Sequence, residues 1–317
     1  MAEKKILLSG VKPTGRPHIG NYFGAMKQFV ELQDKYESYI FIADLHALTG
    51  IQNKEELEEN TVNVLLDYMA IGLDPKVVTI FKQSDVPQVT ELAWIFNCLT
   101  TMPYLMRAHA FKDAEAKNKE INVGVFDYPL LMAADILIQD ADVVPVGADQ
   151  KQHVEIARDT AQKFNNTFGE AFKLPEALIL EQVATVPGTD GKKMSKSYNN
   201  TIPLFASDEE IEKAVMGIVT DSGADIPENV FAIHSLIRSK DELGSIYNEN
   251  KGQYKKLKEI LVEDMKAFIA PMRDKRQALS EDKSAVLEVL KAGGKAARER
   301  AEKKMEEVRA KVGLSLY

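Results

Sequence analysis

The chain has 317 residues, 45% hydrophobic and 28% charged, a balance that suits a globular protein of two domains and excludes a disordered or collagen-like one. No apolar run reaches the ~18 residues of a membrane-spanning helix, and the opening MAEKKILLSG is too poor in apolar residues for a signal peptide, so a cytoplasmic protein is expected. Cys98 is the one cysteine, too few for an internal disulfide or a cysteine-built zinc or iron–sulfur site. The net charge of −8 argues against a wholesale nucleic-acid binder, but it is unevenly spread. Residues 251–317 hold 17 Lys and Arg against 11 Asp and Glu, a net of +6 that leaves −14 on the first 250. A basic tail on an acidic body points either to a contact with something anionic or to a solvated pair of helices.

In chain order, KILLS (5–9) reads as a buried strand. The turn-rich GVKPTGRP follows, then a helical stretch from about His18 to Lys35. SYIFIADL (38–45) is a second strand, 54–72 a helix ending at Gly72, VVTIF (77–81) a third strand, and 87–102 a helix whose Trp94 is expected in the core. This rhythm indicates a parallel sheet with helices on its faces. The rhythm changes over 104–140, where a charged loop (KDAEAKNKE) precedes the helical run VFDYPLLMAADILI. The strand DVVPVG, a helix from Gln150 to Phe168 and the apolar ALILEQVATV come next, and beyond Asp208 only helical patterns remain. No internal repeat is evident. The expected class is α/β: a nucleotide-type parallel-sheet domain with an insertion, plus an all-helical C-terminal domain.

Two segments are candidates for chemistry. Gly10-Val11-Lys12-Pro13-Thr14-Gly15-Arg16-Pro17-His18-Ile19-Gly20-Asn21 lies between the first strand and the first helix, where helix N-termini offer free N–H groups to anions. It matches neither the dinucleotide nor the P-loop fingerprint. Gly191-Lys192-Lys193-Met194-Ser195-Lys196-Ser197 is a glycine-flanked loop whose lysines suit a triphosphate and the charge that builds as pyrophosphate leaves. Each segment alone reads equally as an ordinary turn or an exposed basic loop.

Together, His18-Ile19-Gly20-Asn21 and Lys193-Met194-Ser195-Lys196-Ser197 resemble the signature pair of class I aminoacyl-tRNA synthetases. Tyr128-Pro129-Leu130-Leu131-Met132-Ala133-Ala134-Asp135 and Val144-Pro145-Val146-Gly147-Ala148-Asp149-Gln150 resemble the specificity segments of the tryptophan branch, bacterial type. The resemblance runs from Leu7 to the C-terminal helices. It implies a Rossmann-like catalytic domain over 1–206, with an insertion of about 104–187 carrying the specificity helix, and a helical anticodon-binding domain over 207–317. It also implies ATP-dependent activation of L-tryptophan, transfer to tRNA(Trp), Mg²⁺ held mainly by the phosphates, no protein metal site, and a homodimer. Some relatives carry an iron–sulfur cluster in the C-terminal domain; with no cysteine after Cys98, this chain has no cysteine ligands for one there.

The resemblance assigns catalytic roles to His18, Lys193, Ser195 and Lys196. ATP would be held by Lys12, Pro13, Thr14, Gly20, Asn21, Gly147, Ala148, Asp149, Val186, Met194 and Ser197 along with Lys193, Ser195 and Lys196. Leu8, His46, Tyr128, Met132, Asp135, Val144, Val146 and Gln150 would hold tryptophan. The residues themselves are compatible with this. Tyr128, Met132 and Asp135 stand at i, i+4 and i+7 of a helix, so one face offers a hydroxyl, a thioether and an acceptor for an indole N–H. Val144 and Val146 point to one side of a strand. The non-functional readings are a surface carboxylate for Asp135, a helix cap for Asp149 and a packed loop histidine for His46. Leu8 and Lys12 stand where many bacterial members have Phe and Gln, and an ammonium at 12 suits phosphate. Lys112 and Lys117 of the charged loop are both candidates to reach the triphosphate.

Overall fold

The computed structural model describes residues 4–108, 111, 112, 115, 121–147, 150–179, 186–220 and 225–316. Among the described residues, five parallel strands form one sheet: β1 (Ile6–Val11), β2 (Glu37–Ile42), β3 (Val78–Lys82), β4 (Val143–Val146) and β5 (Glu176–Ile179), in the order β3-β2-β1-β4-β5. The register pairs Ile6 with Glu37 through Val11 with Ile42, and Leu7 with Val143 on the other side. Both faces are covered, so the strands read as nearly continuous apolar runs. Leu7, Ile40, Ile42 and Ile80 point into one core layer with Leu65 and Tyr68, while Ile6, Leu8, Phe41 and Phe81 point into the other with Phe96 and Leu130. The segment 104–187 is not an appendage, because it supplies β4 and β5.

Local chemistry sets the helix ends. Asn53 caps the Lys54–Ile71 helix by accepting the Glu56 N–H, and Gly72 ends it at φ 114°, a left-handed turn that favours glycine. Asn122 caps the Val123–Ile138 helix the same way. In the Gln88–Leu99 helix, Val89, Leu92, Ala93 and Phe96 form the buried face. Trp94 lies about 200° around from Leu92 and is 70% exposed, so the expectation that it sits in the core is corrected.

The C-terminal helices run Asp208–Met216, Glu228–His234, Lys240–Glu249, Tyr254–Glu281 and Lys283–Val312. Packing continues across residue 206. Leu257, Met265 and Ile269 join the first core layer, and Ala297, Ala301 and Met305 join the second. The last helix crosses the sheet at Gly293 and Gly294, where a Cβ would collide with the Ile80 carbonyl and sit 2.9 Å from Asp85.

Much of the positive tail is used internally. Arg276 Nε donates to the buried Asp67 at 2.5 Å, Arg300 faces Glu37, Lys304 pairs with Asp140 at 2.9 Å, and Arg309 pairs with Glu91 and Glu302. The basic helices are therefore matched to the acidic body they cover. Burial pushes the Asp67 carboxyl up to about 6, with Arg276 opposing the rise. Arg276→Met strands that carboxylate at an expected cost of about 1–2 kcal/mol, discounted because Arg276 is partly exposed. An acid whose folded pKa is raised loses stability as pH rises, so the loss is larger at pH 8 than at pH 5. Urea unfolding at the two pH values checks this.

Candidate functional site

Sheet order reverses between β1 and β4, and a cavity of about 450 Å³ opens there at the carboxyl ends of both strands. It is the site expected for a ligand in an open α/β sheet. Leu8, His46, Tyr128, Met132, Asp135, Val144, Val146 and Gln150 all line it, so the fold gathers every residue expected to form the amino-acid pocket. Ser9, Gly10, Lys12, Phe41 and Ala43 complete the β1 and β2 side, with Ile136, Gly147 and His153 opposite. Gly10 permits this close packing, since a Cβ there would lie 2.7 Å from the Phe41 carbonyl oxygen.

The pocket is largely apolar, with the buried polar residues Asp135, His46 and His153 at its wall. Asp135 is 4% exposed, and its Oδ2 lies 3.0 Å from His46 Nε2. Burial raises the Asp135 carboxyl, while hydrogen bonds from His46 and Gln83 oppose the rise. His46 is 5% exposed and stands edge-on to the Tyr128 ring. Lys12 places its Nζ 5.4 Å from the Tyr128 ring centroid, and burial lowers its pKa. Asp135 is thus no surface carboxylate, and His46 is both packed and at the cavity wall.

The two signature segments meet beside this cavity. His18 caps the first helix, and Asn21 Oδ1 accepts its backbone N–H at 3.1 Å. Ile19 N–H bonds the Ile202 carbonyl at 3.0 Å, and Leu204 N–H bonds the Pro17 carbonyl at 3.0 Å. Gly20 lies between the motifs; an added Cβ would be 2.8 Å from His18 Nδ1 and 3.3 Å from Met194 Cβ. Lys196 Nζ donates to the Thr14 and Gly15 carbonyls at 2.9 and 3.1 Å. Pro13 is buried beneath this turn, and Asn21 and Thr14 are exposed. Burial, with the Lys196 ammonium second, holds the His18 imidazole down at about 4. At neutral pH His18 is therefore an uncharged ring able to donate one hydrogen bond.

The lysine loop is organised by a residue that the sequence did not single out. Asn200, 2% exposed, accepts the Ser195 N–H at 2.8 Å and donates to Asp190 and to the Lys193 carbonyl at 2.7 and 3.1 Å. Val186 is buried, and its carbonyl accepts the Met194 N–H at 2.9 Å. Lys193 and Ser197 are exposed, free to face solvent or a ligand. Ala148, Asp149 and Lys117 lie outside the described residues; Lys112 is described, and its N–H bonds the Ala108 carbonyl at 3.3 Å. Asp44 and Gln83, buried behind Asp135, were also missed. Both follow the carboxyl end of a strand, β2 and β3 respectively, which is the positional signal that marks them.

Comparison with known proteins agrees with this geometry. The model of the family described as tRNA synthetases class I (W and Y) matches residues 2–290. The tryptophan--tRNA ligase of Fusobacterium nucleatum is 49% identical over 316 residues, covering 97% of each chain. The structure of tryptophanyl-tRNA synthetase from Campylobacter jejuni, complexed with ADP and tryptophan, is similar at a TM-score of 0.91 and 43% identity, covering 97% of this chain and 99% of that one. The Mycoplasma pneumoniae tryptophanyl-tRNA synthetase structure is similar at a TM-score of 0.85 and 29% identity, covering 98% of each.

Proposed function

Because the chain belongs to the class I tRNA synthetases of the tryptophan and tyrosine type, we infer that it activates L-tryptophan with ATP and attaches it to tRNA(Trp). The observation that carries the site reading is the convergence, at one strand-order reversal, of an apolar pocket ending in Asp135 and the two motifs locked together by Lys196.

In this reading the indole lies between Leu8, Val144, Val146 and Met132, with its N–H directed at Asp135. Tyr128 and Gln150 face the polar end of the amino acid. The tryptophan carboxylate attacks the α-phosphate, the bond to pyrophosphate breaks, and the adenylate passes its acyl group to a terminal hydroxyl of tRNA as the acyl–phosphate bond breaks and AMP leaves with the hydroxyl proton released. Such transfer is mostly positioning and charge stabilisation, so no protein nucleophile is assigned. Neutral His18 donates to the phosphates without competing for their charge, while the Gly20 and Asn21 turn holds the nucleotide close to the helix start. Lys12, Lys193 and Lys196 supply charge to the departing pyrophosphate. Among the described residues, no group of three or more His, Cys, Asp or Glu stands together as a metal site. Mg²⁺ enters this scheme with the triphosphate, and no step is assigned to a protein-held ion.

The C-terminal helices carry the tRNA contact in this reading. Of the cations there, Lys258 donates to the Met216 and Ile218 carbonyls, and Arg298 and Arg300 donate to the Asp85 and Gln139 carbonyls, so these three have structural work. Lys255 and Lys256 are exposed. Reversing both to Glu is expected to leave tryptophan activation unchanged. Charging at low salt should weaken roughly five- to tenfold, with a shallower salt slope. Parallel pyrophosphate-exchange and tRNA-charging assays decide it, and unchanged charging would move the contact elsewhere. No described helix is long and apolar enough to cross a membrane. A homodimer remains the proposed assembly, checked by sedimentation against the 35.4 kDa chain mass.

A further inference from the structure

Gln83 is 1% exposed and does not border the cavity. It opens the short turn Gln83–Asp85 that follows β3. Its Oε1 accepts the His46 backbone N–H at 3.2 Å, which leaves the amide one orientation. Nε2 then faces Asp135, 2.9 Å from both carboxylate oxygens. His46 Nε2 closes the triangle on Asp135 Oδ2 at 3.0 Å.

The turn carrying Gln83 is itself pinned from three sides. Asp44 accepts the Ser84 N–H at 2.9 Å and the Ser84 hydroxyl as well. Lys82 Nζ reaches Asp85 at 3.0 Å, and Arg298 Nε donates to the Asp85 carbonyl at 2.6 Å. Gln83 therefore holds Asp135 from a rigid base rather than from a mobile loop.

The consequence is chemical. Facing a carboxylate, which only accepts, the His46 ring donates through Nε2 and has Nδ1 as its second nitrogen. Nδ1 is buried and has no hydrogen-bond partner among the described residues. Asp135 Oδ2 takes bonds from both His46 and Gln83, whereas Oδ1 takes one from Gln83 only and keeps a lone pair. At this corner of the cavity Asp135 Oδ1 is the open acceptor, and a ring lacking a donor leaves it unpaired.

Resting on the tryptophan reading above, we propose that Gln83 is a positioning residue for amino-acid selectivity. By fixing Asp135 and His46 in one hydrogen-bonding arrangement, it makes the pocket wall an acceptor for an indole N–H. The test is ATP–pyrophosphate exchange by the full chain, varying tryptophan and ATP separately, for wild type, Gln83→Met and Gln83→Glu. Gln83→Met keeps the length and removes the donor. Its KM for tryptophan is expected to rise about tenfold or more with KM for ATP unchanged, and its preference for tryptophan over phenylalanine to fall in step. Gln83→Glu can donate to Asp135 only when it carries a proton, so its KM for tryptophan should be lower at pH 6 than at pH 8. A packing role alone produces no such profile, and this variant decides the matter even if Gln83→Met does not fold. Wild-type KM for tryptophan in both variants, or KM values for both substrates rising together without pH dependence, would overturn the proposal. Absence of tryptophan-dependent exchange in the wild type is a different failure, because it removes the tryptophan reading on which the proposal rests.

Discussion

Lys196→Ala is expected to lower the rate of tryptophan activation by about two orders of magnitude, the usual effect of losing a preorganised charge at a developing anion. The side chain bridges the two motifs, with Nζ on the carbonyls of Thr14 and Gly15. It therefore sits over the turn where the nucleotide is expected, on a loop already ordered by Asn200. Burial lowers its pKa while Asp67 opposes the shift, so the charge is held in a partly desolvated place where it acts strongly. Charge accumulates on the leaving phosphates as the bond breaks, so the loss should fall on kcat more than on KM for ATP. Steady-state exchange kinetics at saturating tryptophan measure both. A rate near that of the wild type would reduce the loop to exposed surface.

Asp135→Ala is expected to raise the dissociation constant for tryptophan about 5- to 150-fold, the equivalent of ~1–3 kcal/mol for a buried donor left without an acceptor. The upper part of that range is the more natural expectation. The change strands the Gln83 amide and the His46 ring N–H as well as the indole N–H. Selectivity against phenylalanine should fall by a similar factor, because phenylalanine never used the acceptor. Calorimetric titration with tryptophan provides the number, and an unchanged constant would remove Asp135 from the recognition of the ring.

The parts of this site that follow a period were legible in the sequence. Tyr128, Met132 and Asp135 fall on one helical face, Val144 and Val146 on one side of a strand, and all five line the same cavity. The same arithmetic places Trp94 opposite Val89, Leu92 and Phe96, so its exposure was available from the pattern. The large aromatic side chain suggested burial more strongly than its helical position allowed.

Gln83, Asp44 and Asn200 carry no periodic mark, and the position after a strand, the one signal for Gln83 and Asp44, does not separate them from their neighbours. Each is a single polar residue in a loop or at the start of a short helix, and its partners lie in distant segments or on the far side of a loop. The C-terminal charge was legible as a sum but not as an assignment. A count gives +6, yet it cannot tell Lys255, at the surface, from Lys258, whose ammonium holds the end of a neighbouring helix. The Gly293 and Gly294 crossing was hidden for a related reason. A glycine pair inside a helical pattern reads as a weakness until the strand it must approach is known.

ATP–pyrophosphate exchange with each of the twenty amino acids in turn asks the pocket at the β1–β4 reversal which side chain it accepts. Exchange is expected with tryptophan and only at background level with tyrosine and phenylalanine, and the tryptophan signal is expected to drop sharply in Asp135→Ala. Exchange driven by tyrosine, or by no amino acid at all, would rule out a tryptophan pocket at this site.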